Sequence, residues 1–389
     1  MSTLRVDAIR HNSATSDAIT TAADGTCTAK LTSIGGGGLS HRNIIINGAM
    51  TVAQRGVTST TNGYGTVDRF RILYNGTDEA PTQEQVDVAS GTTPYTSGFR
   101  KAYKITNGNQ TGGAGGGYYI IIRTLLEAQD IANSGWNYKS SSSYITISFW
   151  VKASVAQTYY TNVRAFDGTQ KMYYFSYTLS ADTWTKVTHT IPGHADISFD
   201  NDTGQGMYIQ WYQFRGTNNT GSITANQWHD LDTSTFTPDQ DSTWYTTNDA
   251  TWEMTGVQLE VGDTATSFEH RSFSDELIRC QRYYQQYVNP CCTGGIPDNG
   301  SKAYSIVLQF QTRMRAVPTL TITNAGTGGN VSDGQSTQFI SALNAADRNV
   351  DGASIYLNLA GDLGDFRPAC LGRNDSTTHT TTYKFSAEI

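Results

Sequence analysis

Residues 252–286 read WEMTGVQLEVGDTATSFEHRSFSDELIRCQRYYQQ, and their pattern changes twice. Val257, Leu259 and Val261 alternate with Gln258 and Glu260, the period of a strand with one wet face. Trp252 and Met254 carry the alternation in the opposite phase on the other side of Gly256, and a glycine at a change of phase predicts a β-bulge. Gly262 and Asp263 end the strand. Ser272 to Asp275 then fits the serine-x-x-acid start of a helix. Asp275 and Glu276 lie at its positive end and Arg279 and Arg282 toward its negative end, as the helix dipole favours. The stretch closes one β unit, crosses a short helix over 272–286 and opens a second unit. One helix in a chain of strands and Gly/Asn/Thr turns marks a domain junction.

Upstream, residues 41–271 read as strands and turns. Tyr144 to Ala153 alternates cleanly, with Ile145, Ile147, Phe149 and Val151 toward a core and Thr146, Ser148 and Trp150 away from it. Tyr118 to Ile122 is short, apolar and β-branched, as a strand buried on both faces would be. Similar strands are predicted at 172–178, 185–191 and 207–214. Long Gly/Asn/Asp-rich connections between them predict a two-sheet antiparallel sandwich of jelly-roll type. Downstream, residues 287–389 predict a smaller β unit, with strands near 304–310, 318–322, 353–358 and 383–389. The fold class is therefore all-β.

Residues 1–40 are too poor in apolar side chains to fold by themselves. Their large aliphatics are Leu4, Val6, Ile9, Ile19, Leu31, Ile34 and Leu39, and burying these does not offset the entropy of ordering the segment. Either the arm is disordered or other subunits supply the missing apolar surface. Gly35 to Gly38 forms a flexible link behind it.

Composition excludes several classes of function. Charged residues make up 16% of the 389, while Gly (38) and Tyr (22) are abundant, so the surface is polar through hydroxyls and amides. A net charge of −7 with no Lys/Arg cluster argues against a nucleic-acid partner. The N-terminus has no signal-peptide core and no window approaches a membrane span, so assembly in a cytoplasm without membrane insertion is expected. Five scattered cysteines with no C-x-x-C spacing indicate neither a disulfide framework nor a zinc site.

No arrangement of side chains carries catalysis or holds a cofactor. Gly112 to Gly117 lacks the Gly-Lys-Ser/Thr of a phosphate loop and precedes a strand, so it reads as a flexible loop. None of the seven histidines forms H-E-x-x-H, and His229 beside Asp230 has no nucleophile setting to serve. The chain is not expected to be an enzyme. Trp150, Tyr174, Tyr208, Gln210 and Tyr212 fall on the phase opposite to the aliphatic core of their strands, and together they would line one concave face. Aromatic faces with hydrogen-bonding side chains grip sugars. Outward aromatics equally stabilise cross-strand pairs and subunit interfaces.

The run from Gly256 to Gln285 closely resembles a module of tail-fibre and other virion-surface proteins of tailed bacteriophages. There a similar QLE-G-x-x-A-x-x-FE-R strand and C-x-R-Y-Y helix follow a jelly-roll-like domain. That domain opens near a motif like Arg42 to Met50 (RNIIINGAM), with Gln54, Arg55 and Gly56 and then Asp68, Arg69 and Phe70 downstream, so the resemblance spans roughly 41–286. It implies a structural virion component, foremost a tail fibre, with a capsid-surface decoration protein as a nearby alternative. It also implies that the 1–40 arm docks onto other virion proteins, with Leu4, Val6 and Ile9 of several copies packed around a shared axis as a homotrimer. Residues 147–152 (ISFWVK), Trp184 to Thr188 and Ile191 to Gly193 are similar to carbohydrate-binding modules of jelly-roll type. From this follow a host surface glycan as partner and, as a rival reading, a free carbohydrate-binding or carbohydrate-cleaving protein. Such modules often hold a structural calcium, but the corresponding places here are Met50 or Thr51 and Thr255, which offer no carboxylate.

Overall fold

The computed structural model describes residues 7–10, 18–21, 23, 27–29, 41–288, 297–298, 303–323, 330–332, 337–359, 370–372 and 382–389. Short strands β1 (Ala8–Ile9), β2 (Ile19–Thr21) and β3 (Cys27–Ala29) pair antiparallel in the arm. Ile9 is exposed, whereas Leu4 and Val6 lie outside the described residues.

A sandwich of two six-stranded sheets follows. Its strands are β4 (Thr58–Ser59), β5 (Phe70–Asn75), β6 (Thr82–Asp87), β7 (Lys101–Thr106), β8 (Tyr119–Glu127), β9 (Tyr144–Ala153), β10 (Gln157–Ala165), β11 (Lys171–Leu179), β12 (Thr185–Pro192), β13 (Gln205–Arg215), β14 (Trp228–Asp230) and β15 (Thr251–Val261). The front sheet runs β14-β11-β10-β13-β8-β5 and the back sheet β12-β9-β15-β7-β6-β4. The chain switches repeatedly between the sheets, as in a jelly roll. Ile145, Ile147, Phe149 and Val151 of the back sheet meet Ile120, Ile122, Val163, Ile209 and Trp211 of the front sheet in one core.

The bulge at Gly256 is present. Its φ is +66°, the pairing of β15 with β9 slips between Thr255 and Gln258, and Trp252, Met254, Val257 and Leu259 all enter the same core. The wet face expected beyond it is dry. Gln258 and Glu260 are buried because residues 263–271 fold back over them, and the exposed residue is Val261. Gln258 Oε1 accepts from Glu269 N at 2.8 Å, and Glu260 Oε1 accepts from Thr266 N at 2.9 Å.

The sandwich also carries short helices α1 (Thr93–Thr96), α2 (Ala128–Ala132) and α3 (Thr243–Thr246), and the junction helix is α4 (Phe273–Gln281). Ser272 caps α4, accepting from Asp275 N. The helix stops earlier than its sequence suggests. Residues from Tyr284 onward leave it as β16 (Tyr284–Val288), because their backbone pairs with the strand at 382–386. The last unit comprises β17 (Pro297–Asp298), β18 (Ala303–Gln309), β19 (Thr319–Thr323), β20 (Asn330–Ser332), β21 (Thr337–Arg348), β22 (Gly352–Leu359), β23 (Cys370–Gly372) and β24 (Thr382–Ser386). They form a three-stranded sheet β16-β24-β19 and a six-stranded sheet β17-β18-β22-β21-β20-β23. No helix among the described residues is long and apolar enough to cross a membrane.

Candidate functional site

The motif residues scattered from Arg42 to Tyr283 converge around α4. Asn43 Oδ1 accepts from the amides of Ile45 (3.0 Å) and Leu259 (3.1 Å), and its Nδ2 donates to Val257 O (3.0 Å). Asn47 closes a turn in left-handed backbone, its side chain bonded to Val52 N, Val52 O and Asp68 O. Gly48 cannot be replaced there, because a Cβ would strike the Val257 carbonyl. Arg271 pairs with Glu269 (3.3 Å) and Glu276 (3.5 Å) and donates to Ile45 O. Asp68 accepts from Gln54 N and Arg55, and burial still pushes its carboxyl up to about 6. Arg69, fully buried beneath the Tyr283 ring, pairs with Glu388. Burial works to raise Glu127 as well, but hydrogen bonds from Arg282 and Tyr283 prevail and hold it below the usual carboxylate range.

Every carboxylate of this cluster has a cation or amide as partner, and burial drives the Cys280 thiol far up. The network is a fastening. It locks the 41–52 segment, α4 and Glu388 to the sandwich.

The residues expected to face sugar do not share one surface. Trp150 stands on the back sheet, in an outer cluster with Phe99, Trp184 and Phe268. The other four stand on the front sheet, because β9 belongs to one sheet and β11 and β13 to the other, so their outward side chains point in opposite directions. Nor do these four form a bare aromatic platform, since Tyr174, Tyr208, Gln210 and Tyr212 are each at most 3% exposed. Tyr174 donates its hydroxyl to Ile223 O (2.7 Å), in a segment that folds over this end of the sheet, and Tyr212 Oη meets Asn162 Nδ2. Tyr208 lies under Arg123, whose Cζ is 4.3 Å from the ring centroid, with the Cζ of Arg164 at 5.8 Å.

Strand register orders this outer face into rows. One row runs Arg71, Arg123, Gln210, Asn162, Tyr174; the next runs Leu73, Ile121, Tyr212, Tyr160, Ser176; the third runs Leu125, Tyr208, Arg164, Met172, His229. In these rows Ser176 is exposed and Arg71, Leu73, Arg123, Tyr160, Arg164 and His229 are half-buried, so three arginines dominate the accessible layer. None of the three arginines was a sequence candidate. The signal was available: each sits inside a strand between core positions, Arg71 between Phe70 and Ile72, Arg164 between Val163 and Ala165.

Other candidates resolve structurally. His229 Nε2 meets Thr224 O (2.7 Å), while Asp230 pairs with Lys171 (2.7 Å), so the two form no relay. His189 is stacked on Phe175, and burial pushes its imidazole down to about 4. The Met50 side chain lies in the core and Thr255 Oγ1 donates to Lys101 O, so these places do not suit calcium. No cluster of three or more His, Cys, Asp or Glu suited to a metal occurs among the described residues.

No family model and no curated protein matches the chain. Among solved structures, the enzymatically active domain of tailspike protein 4 of bacteriophage CBA120 is similar over 57% of this chain and 21% of that one, at 9% identity and a TM-score of 0.31. A CBM4 structure is similar over 56% of this chain and 98% of its own, at 14% identity and 0.29. A family 11 carbohydrate-binding module of a Clostridium thermocellum cellulosomal cellulase follows, over 55% and 98%, at 13% identity and 0.25. At such scores none of them decides what this chain does.

Proposed function

We propose that the chain is a non-catalytic structural component of a tailed-phage virion, a tail fibre that attaches through its 1–40 arm and meets a host surface glycan with the outer face of its front sheet. One observation carries this reading. The residues on which the resemblance to virion-surface proteins rests, from Asn43 and Asn47 through Asp68 and Arg69 to Arg271 and Tyr283, join in a single buried fastening. A motif that stiffens this junction suits a part that must transmit force. The three rows of the front face contain no carboxylate, which leaves a glycosidase without its acid and base there. Exposed Ile9 supports an arm that finds apolar cover in other copies, and a trimer provides it.

Deleting residues 1–34 should abolish incorporation into particles and leave the 41–389 body folded. Truncated protein that still co-purifies with particles would overturn the docking role. Immunogold labelling at the head instead of the tail would favour a capsid decoration protein.

A further inference from the structure

We infer that the outer face of the front sheet takes an acidic glycan, whose oxyanions are held by Arg123 and Arg164 with Arg71 beside them. The inference rests on the reading of this face as glycan-contacting and names the chemistry of the ligand.

Elsewhere four buried or half-buried arginines are neutralised by acids, while Arg315 is saturated by three main-chain carbonyls. Arg55 has Asp68 and Glu388, Arg69 has Glu388, Arg271 has Glu269 and Glu276, and Arg282 has Glu127. The front face breaks this habit. Arg123 gives both Nε (2.8 Å) and Nη2 to the amide oxygen of Gln210. Arg164 gives Nη2 to the amide oxygen of Gln170, and Arg71 gives Nη1 to an oxygen of the last residue, Ile389, at 3.5 Å, with its Cζ 5.6 Å from the Tyr64 ring centroid. The Nε atoms of Arg71 and Arg164 are buried without a partner, as is Oδ1 of fully buried Asn162 between them.

Like charges directly opposite one another on a sheet are destabilising, yet Arg71 and Arg123 are paired residues of β5 and β8. Burial, Arg71 and Arg164 all bear against the charge of Arg123. The guanidinium of Arg123 lies 4.3 Å from the Tyr208 ring centroid, and that of Arg164 lies 4.3 Å from the Phe166 centroid and 5.8 Å from that of Tyr208, so aromatic faces orient both. Such half-buried forks, short of acceptors and pre-oriented, match the geometry of carboxylate or sulfate oxygens. Half-buried Tyr160 one row away supplies an apolar face for a sugar ring. An acidic ligand would remove the repulsion that the protein leaves uncompensated.

The test is calorimetric titration of the full chain with three probes: oligogalacturonate, the same oligomer fully methyl-esterified, and a sulfated oligosaccharide. Arg123→Gln, Arg164→Gln and, as a control on the far sheet, Arg100→Gln are titrated alongside. Binding of one or both acidic probes, weakened roughly tenfold or more by each front-face variant and unchanged in the control, is expected. Equal binding of the esterified oligomer would overturn the inference and keep the glycan face. Binding of no probe by the wild type would overturn that face too. If a glutamine variant fails to fold, salt decides, because wild-type affinity for the acidic probe must fall steeply with ionic strength. Insensitivity to salt would overturn the charge role.

Discussion

Arg282 and Glu127 are joined by two parallel hydrogen bonds of 2.7 Å each, and they bind the end of the junction helix to the last residue of β8 in the front sheet. Glu127 is fully buried, and the Tyr283 hydroxyl donates to the same carboxylate. The unit after the helix is therefore anchored through a charge that has no access to water.

Breaking that anchor from one side should cost more than removing it whole. Arg282→Met leaves Glu127 buried and unpaired, with an expected loss of about 3 kcal/mol. The double variant with Glu127→Gln should recover part of it. Urea denaturation of the single and double variants reads the difference. A double variant as unstable as the sum of the singles would show that the pair is not coupled.

At the bulge of β15, a side chain at position 256 meets two obstacles. The backbone has φ +66°, and a Cβ would lie 2.6 Å from Cζ of Phe99. Gly256→Val should therefore destabilise the sandwich by about 2–4 kcal/mol, with Gly256→Ala milder. A melting temperature equal to that of the wild type would refute the need for glycine here.

His189 makes stability depend on acid. The folded core keeps its imidazole neutral down to about 4, against 6.5 ordinarily. Between those values the unfolded chain binds the extra proton, so this residue's contribution is full above 6.5 and is lost as pH falls toward 4. Asp68, raised from 3.8 to about 6, acts the other way over much of the same range. The difference between wild type and His189→Gln isolates the histidine. The wild-type melting temperature should fall relative to the variant's as pH drops from about 7 to about 4.5, and a constant difference would rule the histidine out.

Cys280 should be inert. It is 1% exposed, and burial raises its thiol well above the usual range. Iodoacetamide on the native protein, followed by peptide mapping, should leave this position unmodified until denaturant is added.

Much of the architecture was legible because period-two patterns survive wherever a strand faces one core. β9 shows its inward residues directly, and the glycine-centred phase change in β15 is the bulge itself. Legibility failed where covering segments came from far along the chain. Gln258 and Glu260 look solvent-facing, yet their partners at 266–269 bury them. β21 hides for another reason: two register shifts, at 340–342 and 343–346, break its alternation. The sugar-face expectation failed on topology, since alternation says which residues leave the core but not which sheet they leave from. The arginines of the front face were passed over because an outward charge in a strand looks like ordinary surface until its lack of an acid is seen in three dimensions.

The pairing of Arg69 with Glu388 joins residues 319 positions apart. At about 5–20 residues per second, a ribosome needs on the order of 15–60 s to travel between them. Throughout that interval the nascent sandwich carries an arginine in its floor with no counter-charge, so it cannot reach its final stability before residue 388 is made. Completion of the body therefore waits for that residue. A cell making this protein must shield an unfinished, edge-rich β-sheet for that time, and expression yield will depend on how well it does so.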